Sequence, residues 1–411
     1  MELRKIAINV DELKPDMFIC ALDRPWIETP FRMQGFTVKN DNDIKILQQY
    51  CKFVYIDELT LPKGFRPKIQ IDSKHISIKS LDRELPKRNP NRYQEFIDFE
   101  EEIEQAKAIQ NKFSSTVTQL FTDITQGRAL DIPHVKKAVT PMVNSIIRNP
   151  DAMIWLARLK SKNNYVYRHA MSVSIWAVAL GRQLGLPVKD LKELAAGALL
   201  CDIGKINIPE TLLNKPGKLS PEEFELIKEH VTEGVNILVS SKGVTTTIRE
   251  IILLHHERHS GNGYPKGLSG CQIPIFARIV GIADCYDAII SHRPYATALS
   301  SSYAVRKLYE WRGVDFQHEL VEEFIQSIGI YPAGSLVELS DGSVAIVVAT
   351  GREQRLRPKI MKILDMQKKP FKPLKVIDMI KTTSDDDGNP LNIKTSLPSD
   401  AYGLDPEEYY I

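Results

Sequence analysis

Apolar and polar residues alternate along the first sixty positions of the chain. Lys5-Ile6-Ala7-Ile8-Asn9-Val10, Met17-Phe18-Ile19-Cys20, Phe36-Thr37-Val38 and Phe53-Val54-Tyr55-Ile56-Asp57 carry the period of two expected of strands. Pro and Gly separate them, and a short helix is expected from Asp43 to Tyr50, so residues 1–60 predict a small β-rich α+β domain. No catalytic set stands in it, and Asp57 lacks the preceding α/β pattern of a phosphate-accepting receiver domain. A structural, sensory or protein-partner role is the expectation.

Over 61–92 the sequence is polar, with many Lys and Pro, and reads as a linker. Near Tyr93 the period lengthens. Phe96, Phe99, Ile103, Ala106, Ile109, Phe113, Val117, Leu120 and Ile124 recur at spacings of three and four, the stripe of a long helix. The stripe fits packing within the chain or a homodimer seam along helix 93–126. Glu100, Glu101, Glu102 and Glu104 read as a solvated face.

Helical patterns continue over Ile132–Arg148, Ala152–Lys160, Tyr165–Gln183, Lys189–Cys201, Pro221–Val239, Thr246–His256, Ile273–Ser291, Ser301–Trp311 and Glu319–Ile328, within a helical region 93–330. In the Pro221–Val239 helix the expected buried stripe is Phe224, Ile227, Val231, Val235 and Leu238, with His230 beside it. The period switches near Gly334. Ser335–Leu339 and Val344–Val348 flank Asp341-Gly342, the signature of a hairpin. Met361–Leu364 and Lys375–Ile377 predict further strands of a C-terminal β segment over 331–380. Residues 381–411 hold seven acids against two lysines and read as a loosely ordered acidic tail.

Composition narrows the class. A chain of 411 residues with 43% hydrophobic content holds two or three domains. A net charge of +2 argues against nucleic-acid binding by bulk charge. Cys20, Cys51, Cys201, Cys271 and Cys285 are scattered without CxxC spacing, which fits a reducing cytoplasm. No stretch reaches the roughly 18 apolar residues that a membrane span needs, and the first residues lack the apolar core of a signal peptide. A cytoplasmic protein is expected.

The chemistry gathers at His255-His256-Glu257-Arg258-His259-Ser260-Gly261-Asn262-Gly263-Tyr264-Pro265, where two histidines close the apolar helix ending at Leu254 and a Gly-rich turn follows. Asp202 ends another apolar helix, just before Ile203-Gly204-Lys205. A carboxylate there needs a cation or several donors. His169 shares a face with Val173, Trp176 and Leu180, where a lone histidine is ordinarily a satisfied core residue. Asp284 shares a face with Ala277, Val280, Gly281 and Ala288, small residues suited to close approach. Singly each has a structural explanation. Together, four histidines and two aspartates on five helices suggest a metal centre with N and O ligands.

In order and spacing, His169, Cys201-Asp202, Lys205, His230, His255-His256, Gly263-Tyr264-Pro265 and Asp284 resemble the HD-GYP domain, a branch of the HD metal-dependent phosphohydrolases. The flanks Leu213–Leu219 and Pro274–Val280 agree, and the resemblance runs from Tyr165 to Ala298. It implies a mainly α HD-type domain and hydrolysis of the bacterial second messenger cyclic di-GMP to pGpG or GMP, with iron or manganese as cofactor. It makes His169, Asp202 and Asp284 ligands of one metal. Asp202 as a bridge, with His230, His255 and His256, would hold the second. Lys205 would neutralise phosphate charge, Tyr264 would line base or ribose, and Arg293 would bind a phosphate.

The sequence also departs from that pattern. Cys201 replaces the histidine of the HD pair, Tyr165 stands in place of a glutamate, and Ser260, His292 and Ala296 replace an aspartate, an aspartate and a basic residue. Cys201 is either a small apolar filler or a thiolate ligand, and the second choice would favour zinc. One tight metal, one weak metal and no third are therefore expected. Activity is expected to be reduced or, in the alternative reading, lost in favour of cyclic di-GMP or protein binding.

Overall fold

The computed structural model describes residues 5–22, 36–57, 84–291 except 86, 90 and 159–164, and 297–404 except 352, 353, 355 and 386. The chain divides into two compact units, Met1–Leu81 with Gly351–Leu356, and Asp82–Thr350 with Arg357–Ile411. Most of the expected linker, and Arg293, His292 and Ala296, lie outside the described residues.

In the first unit β1 (Lys5–Asn9), β2 (Phe18–Leu22), β3 (Phe36–Thr37) and β4 (Phe53–Asp57) form an antiparallel sheet of order β1-β4-β2-β3. The helix α1 (Asp41–Tyr50) starts at Asn40, whose side chain accepts the amides of Asn42 and Asp43. One face of the sheet and of α1 closes a core of Ile8, Met17, Ile19, Val38, Leu47, Val54 and Ile56. Period-two patterning matches β1, β2 and β4, which place Ile8, Ile19, Val54 and Ile56 in that core.

The second unit is helical. It contains α2 (Phe99–Thr125), α3 (Ile132–Arg148), α4 (Pro150–Arg158), α5 (Tyr165–Gln183), α6 (Val188–Leu200), α7 (Glu210–Leu213), α8 (Pro221–Lys228), α9 (His230–Val239), α10 (Thr246–Leu254), α11 (Ile275–Ile290), α12 (Ser301–Trp311) and α13 (His318–Ile328). Three expectations need correction. The first long helix begins at Phe99 rather than Tyr93, and Phe96 is 71% exposed. Phe113 and Val117 are buried within this chain, so the stripe is an internal packing face and is not free to act as a seam between chains. Glu102 is buried too. Its carboxylate accepts Arg148 Nε and a second guanidinium nitrogen, each at 2.7 Å, and Ser145 Oγ at 2.6 Å. A bidentate partner is what a buried carboxylate requires.

The expected Pro221–Val239 helix is two helices. The chain breaks at Glu229, and Phe224 is 44% exposed rather than part of a buried stripe. This break sets His230 at the first position of α9, fully buried.

A five-stranded antiparallel sheet follows, β5 (Leu336–Leu339), β6 (Val344–Ala349), β7 (Lys359–Leu364), β8 (Pro370–Asp378) and β9 (Ile393–Leu397), in the order β8-β7-β6-β5-β9. Asp341-Gly342 forms the expected turn, with Gly342 at φ 80. The strand β9 corrects the reading of an acidic tail, since Leu336 pairs with Leu397 and Glu338 with Thr395. Arg357 reaches into this segment and donates to the carbonyls of Met379 and Leu391. In the turn before β9, Asp385 accepts the amides of Asp387 and Asn389. Asp151 of α4 ties this sheet to the helices by accepting both the amide and the hydroxyl of Thr350. Among the described residues no helix is long and apolar enough to cross a membrane.

Candidate metal centre

Five segments bring the titratable side chains together. His169 projects from the second turn of α5, and Asp202 follows the end of α6. A 3-10 turn (Ile203–Asn207) then swings the chain away from Asp202. His230 opens α9, His255 and His256 close α10, and Asp284 sits in the middle of α11. Two glycines permit this crowding. A Cβ on Gly204 would lie 2.0 Å from the His230 carbonyl oxygen, and one on Gly281 would lie 2.6 Å from that of His255.

The donor atoms form two groups that share Asp202. Asp202, His230, His255 and His256 present ligand atoms within 4.8 Å of one another, as do His169, Asp202 and Asp284. His230 Nε2 lies 3.2 Å and His255 Nε2 3.7 Å from Asp202 Oδ1. On the other side His169 Nε2 lies 2.9 Å from Asp284 Oδ1 and 3.5 Å from Asp202 Oδ2.

Two imidazoles are oriented through their outer nitrogens. His230 Nδ1–H donates to the Ile227 carbonyl at 2.7 Å, and His255 Nδ1–H to those of Ile251 and Ile252. Rings held this way turn Nε2 toward Asp202. His230 Nε2, His255 Nε2 and Asp202 Oδ1 are accordingly buried without a hydrogen-bond partner. Three buried lone-pair atoms facing one another are costly unless a cation lies between them, so this donor set fits a divalent metal.

The charges agree. Burial alone would push the Asp202 carboxyl up, but the Lys205 ammonium, 2.6 Å away, leads the opposing effects and the group is held well below the usual carboxylate range. Burial likewise opposes ionisation of Asp284, and the hydrogen bond with His169 reverses the sign. His256 is held well below the ordinary imidazole range by burial, with His255 adding to the effect, so it is neutral. Lys205 touches the Asp202 carboxylate directly.

Cys201 is fully buried at the end of α6, and its sulfur joins neither group. Burial pushes its thiol well up, and the carboxylates of Asp202 and Asp284 push it further. Tyr264 stacks on His256 with ring centroids 4.7 Å apart, and the Tyr264-Pro265 peptide is cis. Burial pushes the Tyr264 phenol up, with Asp284 and Asp202 adding to it. Ser260 pairs as a β-bridge with Ser269, at the base of the Gly263-Tyr264-Pro265 loop.

Two residues that sequence reasoning passed over complete the site. Asp287 accepts His169 Nδ1–H at 2.6 Å, Trp176 Nε1–H at 3.1 Å and Ser291 Oγ–H at 3.1 Å. It lies one helical turn after Asp284, and that i, i+3 spacing was the available signal. A carboxylate behind a metal-facing imidazole fixes its ring and tautomer. Glu257 is buried and accepts the amides of Lys266 and Leu268 at 2.7 and 2.9 Å, closing the Gly-rich loop.

Comparison with known proteins supports the same grouping. Residues 156–320 match the HD domain, residues 5–135 match a domain of unknown function, and residues 336–384 match a KOW domain associated with HD domain. The cyclic di-GMP phosphodiesterase PA4108 of Pseudomonas aeruginosa is 33% identical over 375 residues, covering 90% of this chain and 88% of that protein. A cyclic di-GMP phosphodiesterase of Thermotoga maritima is 40% identical over 161 residues, 39% of this chain and 44% of that protein. The 3'3'-cGAMP-specific phosphodiesterase 2 of Vibrio cholerae is 35% identical over 159 residues, 38% of this chain and 30% of that protein. With a near full-length relative and its donor set in this arrangement, the chain belongs to the HD-GYP family of HD-domain phosphodiesterases.

Proposed function

We propose that the protein is a metal-dependent phosphodiesterase that opens cyclic di-GMP to pGpG or GMP. The carrying observation is the set of three partnerless buried atoms, Asp202 Oδ1, His230 Nε2 and His255 Nε2, at the meeting point of the two ligand groups. The cyclic di-GMP phosphodiesterase PA4108 supports the choice of substrate.

Asp202, His230, His255 and His256 would hold one cation tightly, and His169, Asp202 and Asp284 would hold a second more weakly. The resemblance to the HD-GYP domain favours iron or manganese, and zinc held by a Cys201 thiolate lacks support because that sulfur joins neither group. A bound pair supplies positive charge for the phosphoryl oxygens and lowers the pKa of water. The chain's own residues do the rest. Asp202 spans both groups, and the Lys205 ammonium beside it adds a positive charge for the substrate phosphate. Asp287 holds His169 in place, and the Tyr264 ring walls the site on the His256 side.

A second reading, a weak or silent enzyme that binds cyclic di-GMP, is favoured by Cys201, whose buried thiol supplies no nitrogen to the group of His169, Asp202 and Asp284. Metal analysis of the purified protein combined with a cyclic di-GMP turnover assay separates them. Hydrolysis that is lost with a chelator and restored by Mn²⁺ supports the enzyme. Binding without turnover at full metal loading supports the receptor.

A further inference from the structure

The helix α8 buries none of its side chains, although it carries Phe224 and Leu226, 44% and 48% exposed. Its position is fixed by other means. Ser220 and Glu223 form a capping box, and Lys215 pairs with Glu223 at 2.6 Å. Phe224 is therefore not held out of water by a core.

What Phe224 does adjoin is the metal centre. From the fully buried His255 the exposure of the aromatic side chains rises outward. His256 is 14% exposed, Tyr264 stacked on it is half-buried, and Phe224 meets Tyr264 edge-on at 6.3 Å and 83°. These rings make one continuous wall from the ligand cluster to solvent. The Lys228 ammonium lies over both outer rings, 4.8 Å from the Phe224 centroid and 5.5 Å from that of Tyr264. Its ion partner Glu225 is 70% exposed, and a solvated pair of that kind holds the ammonium only weakly.

An aromatic face with a cation beside it suits a nucleobase attached to a phosphate, since every base has a π-face and every nucleotide an anion. We propose that Phe224 and Lys228 form, with Tyr264, a stacking subsite for one nucleobase and the non-reacting phosphate of the cyclic dinucleotide. This rests on the substrate reading above. It assigns α8, outside the ligand set, the task of selecting nucleotide diesters over simple ones.

The test compares wild type, Phe224→Ala, Phe224→Trp and Lys228→Gln, all loaded with Mn²⁺, on cyclic di-GMP and on methyl p-nitrophenyl phosphate. Phe224→Ala is expected to lower the ratio of kcat/KM for the dinucleotide to that for the simple diester by about 10- to 100-fold, the scale of one lost base stack. Phe224→Trp should restore the ratio, and Lys228→Gln should lower it by a smaller factor. An unchanged ratio in Phe224→Ala, with the dinucleotide cleaved by wild type, overturns the subsite alone. A wild type that cleaves the simple diester but neither cleaves nor binds cyclic di-GMP overturns the substrate reading, and the subsite with it. If wild type binds cyclic di-GMP without turnover, calorimetric affinity replaces the ratio. Equal affinity in wild type and Phe224→Ala then overturns the subsite.

Discussion

The two halves of the metal centre are built differently. His230 and His255 are oriented by carbonyls of their own helical turns, Ile227 and Ile251–Ile252, while His169 is oriented by a side chain from another helix, Asp287 of α11. The first half offers three imidazoles around Asp202, and the second offers one imidazole and two carboxylates. At the place where the second half lacks a nitrogen stands a buried thiol, Cys201. The contrast teaches that one half is preorganised by local backbone, whereas the other depends on α5, α6 and α11 being correctly packed.

The largest effect is expected where the preorganised half is broken. His255→Ala should remove the tight metal and lower turnover by about 1,000-fold, the equivalent of roughly 4 kcal/mol of lost charge stabilisation. Metal content by emission spectroscopy together with the turnover assay checks this. Retention of one equivalent of metal in the variant would break the comparison.

A buried carboxylate outside the centre sharpens it. Asp202 and Asp284 are held low by cationic and imidazole neighbours, whereas burial pushes Asp151 up to about 6 despite the bonds from Thr350. The folded protein therefore binds this proton more tightly than the unfolded chain does. Its share of stability is fully present below about pH 4 and is lost as pH rises through about 6, a change on the order of 2 kcal/mol. Denaturant titrations at pH 4.5 and 7.5 should show the wild type losing that much relative to Asp151→Asn. Parallel curves would count against it.

On the second half, Asp287→Asn should weaken the second metal by about 10- to 100-fold while leaving the tight one in place. A folded variant with both affinities unchanged would reduce Asp287 to a packing residue. The smallest effect is a gain. Cys201→His should add a nitrogen beside Asp202 and raise turnover about tenfold, which corresponds to roughly 1.4 kcal/mol of barrier. Unchanged turnover with tighter second-metal binding would mean that the wild-type site works without that histidine.

Much of this was legible in the sequence because periodicity and ligand spacing are local. Period two at Ile8 and Val54 and the three-four spacing through Phe113 and Val117 gave elements whose apolar faces are buried. His169, Asp202, His230, His255, His256 and Asp284 converge as their order implied. The misreadings were of tertiary context. Glu102 resembles any helix-surface acid until Arg148 meets it, and Phe224 resembles a core residue until the chain breaks at Glu229. The strand β9 was hidden because Ile393–Leu397 has few apolar residues and draws its order from pairing with β5. Asp287 was missed because its role depends on a histidine 118 positions away.

The most direct measurement is a Mn²⁺ titration of metal-free protein by isothermal calorimetry. Two sites of clearly different affinity are expected, the tighter one absent in His255→Ala and the weaker one diminished in Asp287→Asn. Two equivalent sites, three tight sites, or a tight site that survives His255→Ala would contradict it.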